Sequence, residues 1–387
     1  MAKRFSFMNG VMSHPSTYFF AAWTLCALLI SLDFIPRITQ YKDTAVIVYA
    51  ALVLFNLIGV GIAWFIDYTP PSAPPTEVRY QFLYRSNLLI LWIVGTLFET
   101  IASEGLPLLW IFTGNGKTYE DFGVPSIHGF MNAIYLFLTL SAFMKALTER
   151  SSRSFLEFLL LLGWSVVVVS RALMTIVLLQ SATFFLINSR AGWQKKTLLL
   201  TATALGFLII FGILGNARAE QFSILQSTDL GYLDPRYSIF VWIYAYLTSP
   251  IANLALNISV HSAELKLIPT TFLLPLLPSA VQSWLGFNTG FYSFSGYLAH
   301  DAFNVGTAFI QIFIDWGTFG VYLYDMILGF TGHIVWNNYR RTGRADIISL
   351  FIPCVVLTVF SNQFNQLPIL LLLLLFIFST RTSSERA

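Results

Sequence analysis

Charge is scarce in this chain. Lysine, arginine, aspartate and glutamate together make up 11% of its 387 residues, where a soluble domain carries roughly 25%. So little charge cannot cover a water-facing surface, which excludes an ordinary soluble domain. Cysteine is nearly absent: Cys26 and Cys354 both lie inside apolar runs far apart in the sequence, which argues against a disulfide framework and leaves them as small packing residues. The stretch Met1–Pro15 lacks a short apolar core followed by a small-residue cleavage site, so the first hydrophobic run is expected to be retained. Internal repeats are absent as well, and the one low-complexity feature is the cluster Pro70, Pro71, Pro74 and Pro75, which reads as a cytoplasmic turn.

What is abundant is apolar, at 56% of residues, and it is gathered into runs of the length that a hydrocarbon core of about 30 Å demands. The runs are Tyr18–Ile35, Ala45–Ile66, Leu88–Ala102, Phe130–Leu147, Phe155–Ser170, Leu173–Asn188, Leu198–Gly215, Trp316–Trp336, Ile347–Phe360 and Leu367–Phe378. The sequence therefore predicts an all-α polytopic membrane protein with about ten transmembrane helices. Some runs are shorter than a full span, which shielding by neighbours or local bilayer thinning accommodates.

Lysine and arginine set the orientation. With the N-terminus inside, fifteen of them fall in inner segments and four, Arg37, Lys42, Lys117 and Arg171, in short outer loops. That bias puts both termini in the cytoplasm. Three parts follow: an N-terminal bundle of about seven helices over residues 1–215, a long outer segment over 216–302, and a C-terminal bundle of about three helices over 303–387. Within the long segment, Tyr237–Ile258 and Leu265–Leu285 are apolar but broken by Pro250, Pro269, Pro275 and Pro278. They read either as helices on the membrane surface or as an extra pair of spans, which would raise the total to about twelve.

Three arginines stand at or outside the outer face. Arg171 lies between two apolar runs, Arg218 opens the long segment, and Arg236 follows Asp234 and Pro235. An arginine at membrane depth costs roughly 2.5–3.5 kcal/mol on insertion scales, so it calls for a partner or a task. Guanidinium matches phosphate oxygens bidentately, which suits a lipid diphosphate. The plainer alternative is that Arg171 snorkels and the others pair with Glu220, Asp229 or Asp234. Candidate general bases on the same face are Glu104, Glu120, Asp121, His128, Asp229, Asp234, Glu264, His300, Asp301 and Asp315, carboxylates and imidazoles being the usual proton acceptors. Gly116-Lys117-Thr118 resembles the end of a phosphate-binding loop, but Ile111 stands where the earlier glycine is required. No His-Glu-x-x-His, close Cys–His spacing or Asp-x-Asp pair offers a metal site. The chemistry expected is free of metal and cofactor.

Two segments carry a family likeness. Tyr119–Phe130, with Phe122-Gly123-Val124-Pro125 and His128, resembles the entry to a membrane helix in bacterial oligosaccharide repeat-unit polymerases, the Wzy-type O-antigen polymerases. Asn304–Gly320 resembles that family's Asn-x-x-Thr followed by Asp-aromatic-Gly-x-x-Gly, here Asn304, Thr307, Asp315, Trp316, Gly317 and Gly320. Ser170-Arg171 and the long outer segment fit the same layout.

The resemblance implies a bacterial inner-membrane enzyme similar in fold to GT-C-type glycosyltransferases and working at the periplasmic face. It would transfer a growing glycan from undecaprenyl diphosphate to the next lipid-linked repeat unit, with arginines neutralising the leaving diphosphate. Its implied partners are the undecaprenyl-diphosphate-linked oligosaccharide, membrane lipids and a chain-length regulator protein, with no nucleic acid. Carried onto this sequence, Arg171, Arg218 and Arg236 become diphosphate ligands, and His300 and Asp301 the acid–base residues, with Glu104 and His128 behind them. The placing of Arg218 and Arg236 rests on position alone. Glycines and prolines of both motifs are expected in turns and re-entrant backbone, and Asp315 as a cap on a helix beginning at Trp316. An O-antigen ligase would share donor and layout. A lipid-linked sugar flippase is the alternative of another class, for which Glu99 and Asp325 inside apolar runs speak.

Overall fold

A computed structural model of the chain describes residues 13–67, 78–189 apart from 115, 233–260, 265–286 and 305–384, with scattered positions at 192–231 and 298–299. Ten principal helices run through these residues. They are α1 (Pro15–Ser31), α2 (Lys42–Ile66), α3 (Arg85–Ala102), α4 (Ile127–Thr148), α5 (Ser152–Val167), α6 (Arg171–Asn188), α7 (Ser238–Val260), α8 (Ile310–Thr342), α9 (Ala345–Val356) and α10 (Leu367–Ser379). Five helical stretches are long and apolar enough to cross a membrane: α2, Arg85–Thr113 containing α3, α4, α6 and α7. The shorter apolar helices α1, α9 and α10 accompany them.

Local chemistry places several ends. His14 caps α1 by accepting the Ser16 N–H on Nδ1, with Pro15 in the first turn, where its missing N–H is not needed. Gly343 closes α8 in the left-handed region at φ 70°. A two-stranded antiparallel ribbon, β1 (Val78–Phe82) with β2 (Thr380–Ser384), departs from the all-helical expectation. The Tyr80 side chain is buried, and its hydroxyl accepts the Ala345 N–H at 2.9 Å. The ribbon thereby holds the start of α9. Nearby, Asp67 bonds Asn337 and Arg341, and His14 meets His333. This is the ribbon end of the molecule.

The helices pack around two apolar clusters. One joins α1, α2, α7 and α8; the other joins α3–α6 with α10. α9 contributes to both, Val355 to the first and Leu350 and Cys354 to the second, and Phe360 and Phe364 lean on each. The tightest seam is α2 against α8. A Cβ on Gly59 would lie 2.0 Å from the Met326 carbonyl oxygen, and one on Gly329 would lie 2.2 Å from that of Asn56. Only glycine lets the two backbones approach so closely. Asn56 faces Asp325 and Asp67 faces Arg341, so α2 and α8 run in the same direction.

Sequence placed a helix start at Trp316, capped by Asp315. The structure corrects this: helix begins at Ile310, and the chain folds back at Gly317 (φ 60°, ψ −156°). The Phe309 and Tyr324 rings are 5.9 Å apart, whereas fifteen residues of straight helix would separate them by about 22 Å. A Cβ on Gly320 would lie 3.1 Å from the Ile312 carbonyl oxygen, so the two arms pack on each other. Asp315 does not cap a helix at Trp316. Its carboxylate accepts Lys266 Nζ–H and the Phe272 N–H.

The two apolar stretches of the long segment differ. Tyr237–Ile258 falls in α7, which is buried in the first cluster. The Tyr244 hydroxyl accepts the Phe34 N–H, and Ser259 bonds Thr44, so both attachments reach the α1–α2 connection. Between them α7 extends for about 22 Å, so it lies across the ends of α1 and α2. Asn253, midway, bonds Val305 and Ala299. Leu265–Leu285 is broken into Thr270–Leu273, a 3-10 turn at Leu274–Leu276 and Ser279–Trp284, each far too short to span. These pieces lie at the end opposite the ribbon, tied to Ser126, Asp315 and Asn365. We refer to it as the cap end. The run Leu198–Gly215 falls largely outside the described residues, and the proline cluster at 70–75 wholly so.

Candidate functional site

The α3–α4 connection builds a carboxylate–imidazole pair at the cap end. Glu99, in the last turn of α3, is 2% exposed, and its carboxylate lies 3.2 Å from His128 Nδ1. It also accepts the Val124 N–H at 3.2 Å. With the carboxylate ionised, and so only an acceptor, the contact requires the imidazole proton on Nδ1 and leaves Nε2 unprotonated. About a third of the His128 side chain is exposed, whereas Glu99 is buried. This is the geometry by which a buried carboxylate orients a general base.

The Phe-Gly-Val-Pro segment makes the seat. Phe122 is buried and meets the imidazole edge-on at 5.7 Å. A Cβ on Gly123, at φ 102°, would lie 2.5 Å from His128 Nδ1, so glycine here is a condition for the ring's position. Val124 supplies the N–H on Glu99. Ser103 fastens the turn by accepting the Gly123 N–H. Ser126, two residues before His128, has φ 69°. A left-handed non-glycine residue costs of order 1–3 kcal/mol and is characteristic of functional sites.

Arg171 shows a parallel pattern. It is the first residue of α6, capped by Ser170, and its guanidinium lies over the Tyr246 ring of α7 at 5.9 Å. Two residues earlier, Val169 has φ 53°, a marked outlier for a β-branched side chain. A cation at a helix N-terminus opposes the macrodipole, so this placement is not one that helix stability selects. An anion bound there would be favoured by both the guanidinium and the helix end. Phe122 contacts Trp164 of α5 as well as His128, so one aromatic chain runs from the His128 seat toward the turn that carries Arg171.

Glu104, Asp121 and Arg236 have partners of their own. Glu104 is exposed and bonded to Lys117 at 2.6 Å. Asp121 closes a capping box with Thr118, whose N–H and hydroxyl hold its carboxyl below the usual range. Arg236 is 91% exposed and sits 3.9 Å from Asp234. Arg218, His300 and Asp301 lie outside the described residues. In the sequence His128 stands in a motif, while Glu99 is notable only as an acid inside an apolar run and not as its partner. Glu99 is 29 positions away, and the available signal was a lone carboxylate near the end of an apolar helix. Also unforeseen is the group Asn362, Gln363 and Asn365, all buried between α9 and α10 at the cap end.

Compared with protein-family models, curated proteins and solved structures, the chain matches none of them.

Proposed function

We propose that the chain polymerises lipid-linked oligosaccharide repeat units, with the cap end facing the periplasm and the ribbon end the cytoplasm of a bacterial inner membrane. The observation that carries the reading is the His128–Glu99 pair, seated by the same Phe-Gly-Val-Pro segment on which the resemblance to Wzy-type polymerases rests. Two further features support it. The residues counted as cytoplasmic by charge, Arg85, Arg340, Arg341 and Arg344, gather at the ribbon end with Asp67, Glu157 and Asp346 as partners. Arg171, Lys117 and Lys266 belong to cap-end elements.

In this account His128 Nε2 removes the proton from the acceptor hydroxyl of the incoming repeat unit. The freed oxygen attacks the anomeric carbon of the growing glycan as the carbon–oxygen bond to the lipid diphosphate breaks. The bonding pair leaves on the diphosphate, whose charge Arg171 and the α6 N-terminus offset. Glu99 holds Nδ1 and stabilises the imidazolium that forms. Arg218 and Arg236 remain proposed diphosphate ligands by position, and His300 and Asp301 proposed acid–base residues on the resemblance.

Alanine substitution of His128 and, separately, of Arg171 tests the reading in cells making the polymer. Each variant should insert in the membrane at wild-type level and yield glycans capped at one repeat unit. Wild-type polymer from both would remove the pair and the arginine from the mechanism. Loss of all capped glycan, rather than of chain length, would favour the ligase.

A further inference from the structure

The seam between α2 and α8 holds a buried acid that the proposed reaction does not use. Asp325 is fully buried and Asn56 is 2% exposed. Asn56 Nδ2 donates to Asp325 Oδ1 at 3.1 Å and toward the Asp325 backbone oxygen at 3.5 Å. That leaves two oxygens, Asp325 Oδ2 and Asn56 Oδ1, buried with no hydrogen-bond partner among the described residues. Both are acceptors when the acid is ionised, so neither can satisfy the other. One missing proton accounts for both.

Among the described residues, no cation is bonded to the pair. α1 and α7 contain no Lys, Arg, Asp or Glu, and the charges of α2 are Lys42 and Asp43 in its first two positions. The acid of α9 is Asp346, bonded to Arg344. On α8, Asp315 is held by Lys266, while Arg341 is bonded to Asp67 and Arg340 lies on the Trp336 ring. His333 is two turns along α8, hydrogen-bonded to His14 at 3.2 Å. The close backbone approach at Gly59 and Gly329 leaves no space for a hydration shell at the pair. A buried, unpaired carboxylate is strongly disfavoured and takes up a proton instead.

We infer that Asp325 is a proton-binding site, holding its proton on Oδ2 and donating it to Asn56 Oδ1. With the Asn56 Nδ2–H donated to Oδ1, this closes a two-bond acid–amide pair that fastens α2 to α8. The proton comes from water as the seam forms and returns to water if the seam opens. Toward the ribbon end a cavity is lined by His14, Trp64, His333, Asn337 and Arg340. Asp325, Gly329, His333 and Asn337 recur at every fourth position and so share one face of α8. The inference is independent of the reaction proposed above.

Infrared difference spectroscopy on the full-length protein in bilayers at pH 7, wild type against Asp325→Asn, tests it. The expected result is a carbonyl band of a protonated carboxylic acid in the wild type, shifted on exchange into deuterated water and lost in the variant. Absence of that band, or a carboxylate band in its place, would overturn the inference. Thermal unfolding gives a second reading. The amide of Asp325→Asn can donate to Asn56 as the acid does, so this variant should unfold near the wild-type temperature, while Asn56→Leu should unfold well below it. An Asp325→Asn protein as unstable as Asn56→Leu would also overturn it.

Discussion

Lys266 and Asp315 are joined twice, by Nζ to Oδ1 at 2.7 Å and by the Lys266 backbone N–H to the Asp315 carbonyl at 2.9 Å. Asp315 is fully buried, and its second oxygen accepts the Phe272 N–H at 2.8 Å. Trp316 adds an indole N–H to the Lys266 carbonyl. The tip of the α8 hairpin and the start of the 265–286 segment therefore form one unit at the cap end. Lys266→Met leaves a buried carboxylate with fewer donors and should destabilise by about 1–3 kcal/mol. Asp315→Ala removes the acceptor of both Lys266 Nζ and the Phe272 N–H and should release the segment to protease. Thermal unfolding and limited proteolysis in detergent check both; wild-type behaviour of Asp315→Ala would remove the anchoring role.

The hairpin itself rests on glycine. Gly317 occupies a backbone region essentially closed to other residues, and a Cβ on Gly320 would lie 2.6 Å from that of Trp316. Gly317→Ala should destabilise by about 1–3 kcal/mol, and Gly320→Ala should act in the same direction by forcing the arms apart. A melting temperature unchanged in both would contradict the fold-back.

These two features show what sequence carries and what it hides. The apolar runs were legible because burial in hydrocarbon imposes a length, and α2, α4 and α6 sit where the runs predicted. The hairpin was foreseen only as re-entrant backbone: two glycines permit a reversal but do not fix its place, and Asp315 beside them invited a capping role. β1 had a visible signal in the alternation of Val78, Tyr80 and Phe82, but its partner Thr380–Ser384 lies some 300 residues away. α7 has the composition of a span, and only its bonds to Phe34 and Thr44 reveal that it lies across helix ends. Of the site, His128 was legible as a residue type in a motif. Glu99 was not legible as its partner, because pairing across 29 positions is a property of how α3 and α4 pack.

If His128 is the base, its seat should matter as much as the ring. Replacing the base should lower the rate by about 10²–10⁴-fold. Glu99→Gln keeps the size but removes the charge that fixes the Nδ1 proton, so it should lower turnover and shift the pH–rate profile, with substrate affinity little changed. Gly123→Ala displaces the ring and should lower turnover while the protein still folds. Steady-state kinetics across pH on purified protein check this. A Glu99→Gln enzyme with wild-type turnover and pH profile would exclude the orienting role.

Stability should fall in mild acid through His14. Burial first, and the neighbouring His333 second, lower its pKa from 6.5 to about 4. Between those values the unfolded chain binds a proton that the folded one does not. The contribution of neutral His14 is therefore complete above pH 6.5 and is lost as pH falls toward 4. His14→Asn retains a side chain able to cap α1 and should flatten this part of the melting-temperature profile. An unchanged slope in the variant would assign the acid sensitivity elsewhere.

Reconstitution tests the functional account most directly. Purified protein in vesicles, supplied with undecaprenyl-diphosphate-linked repeat units at the cap-end face, should extend glycan chains and release undecaprenyl diphosphate, and the His128→Ala protein should not. Vesicles in which no chain grows while the lipid-linked substrate crosses the bilayer would contradict the polymerase and make the chain a flippase.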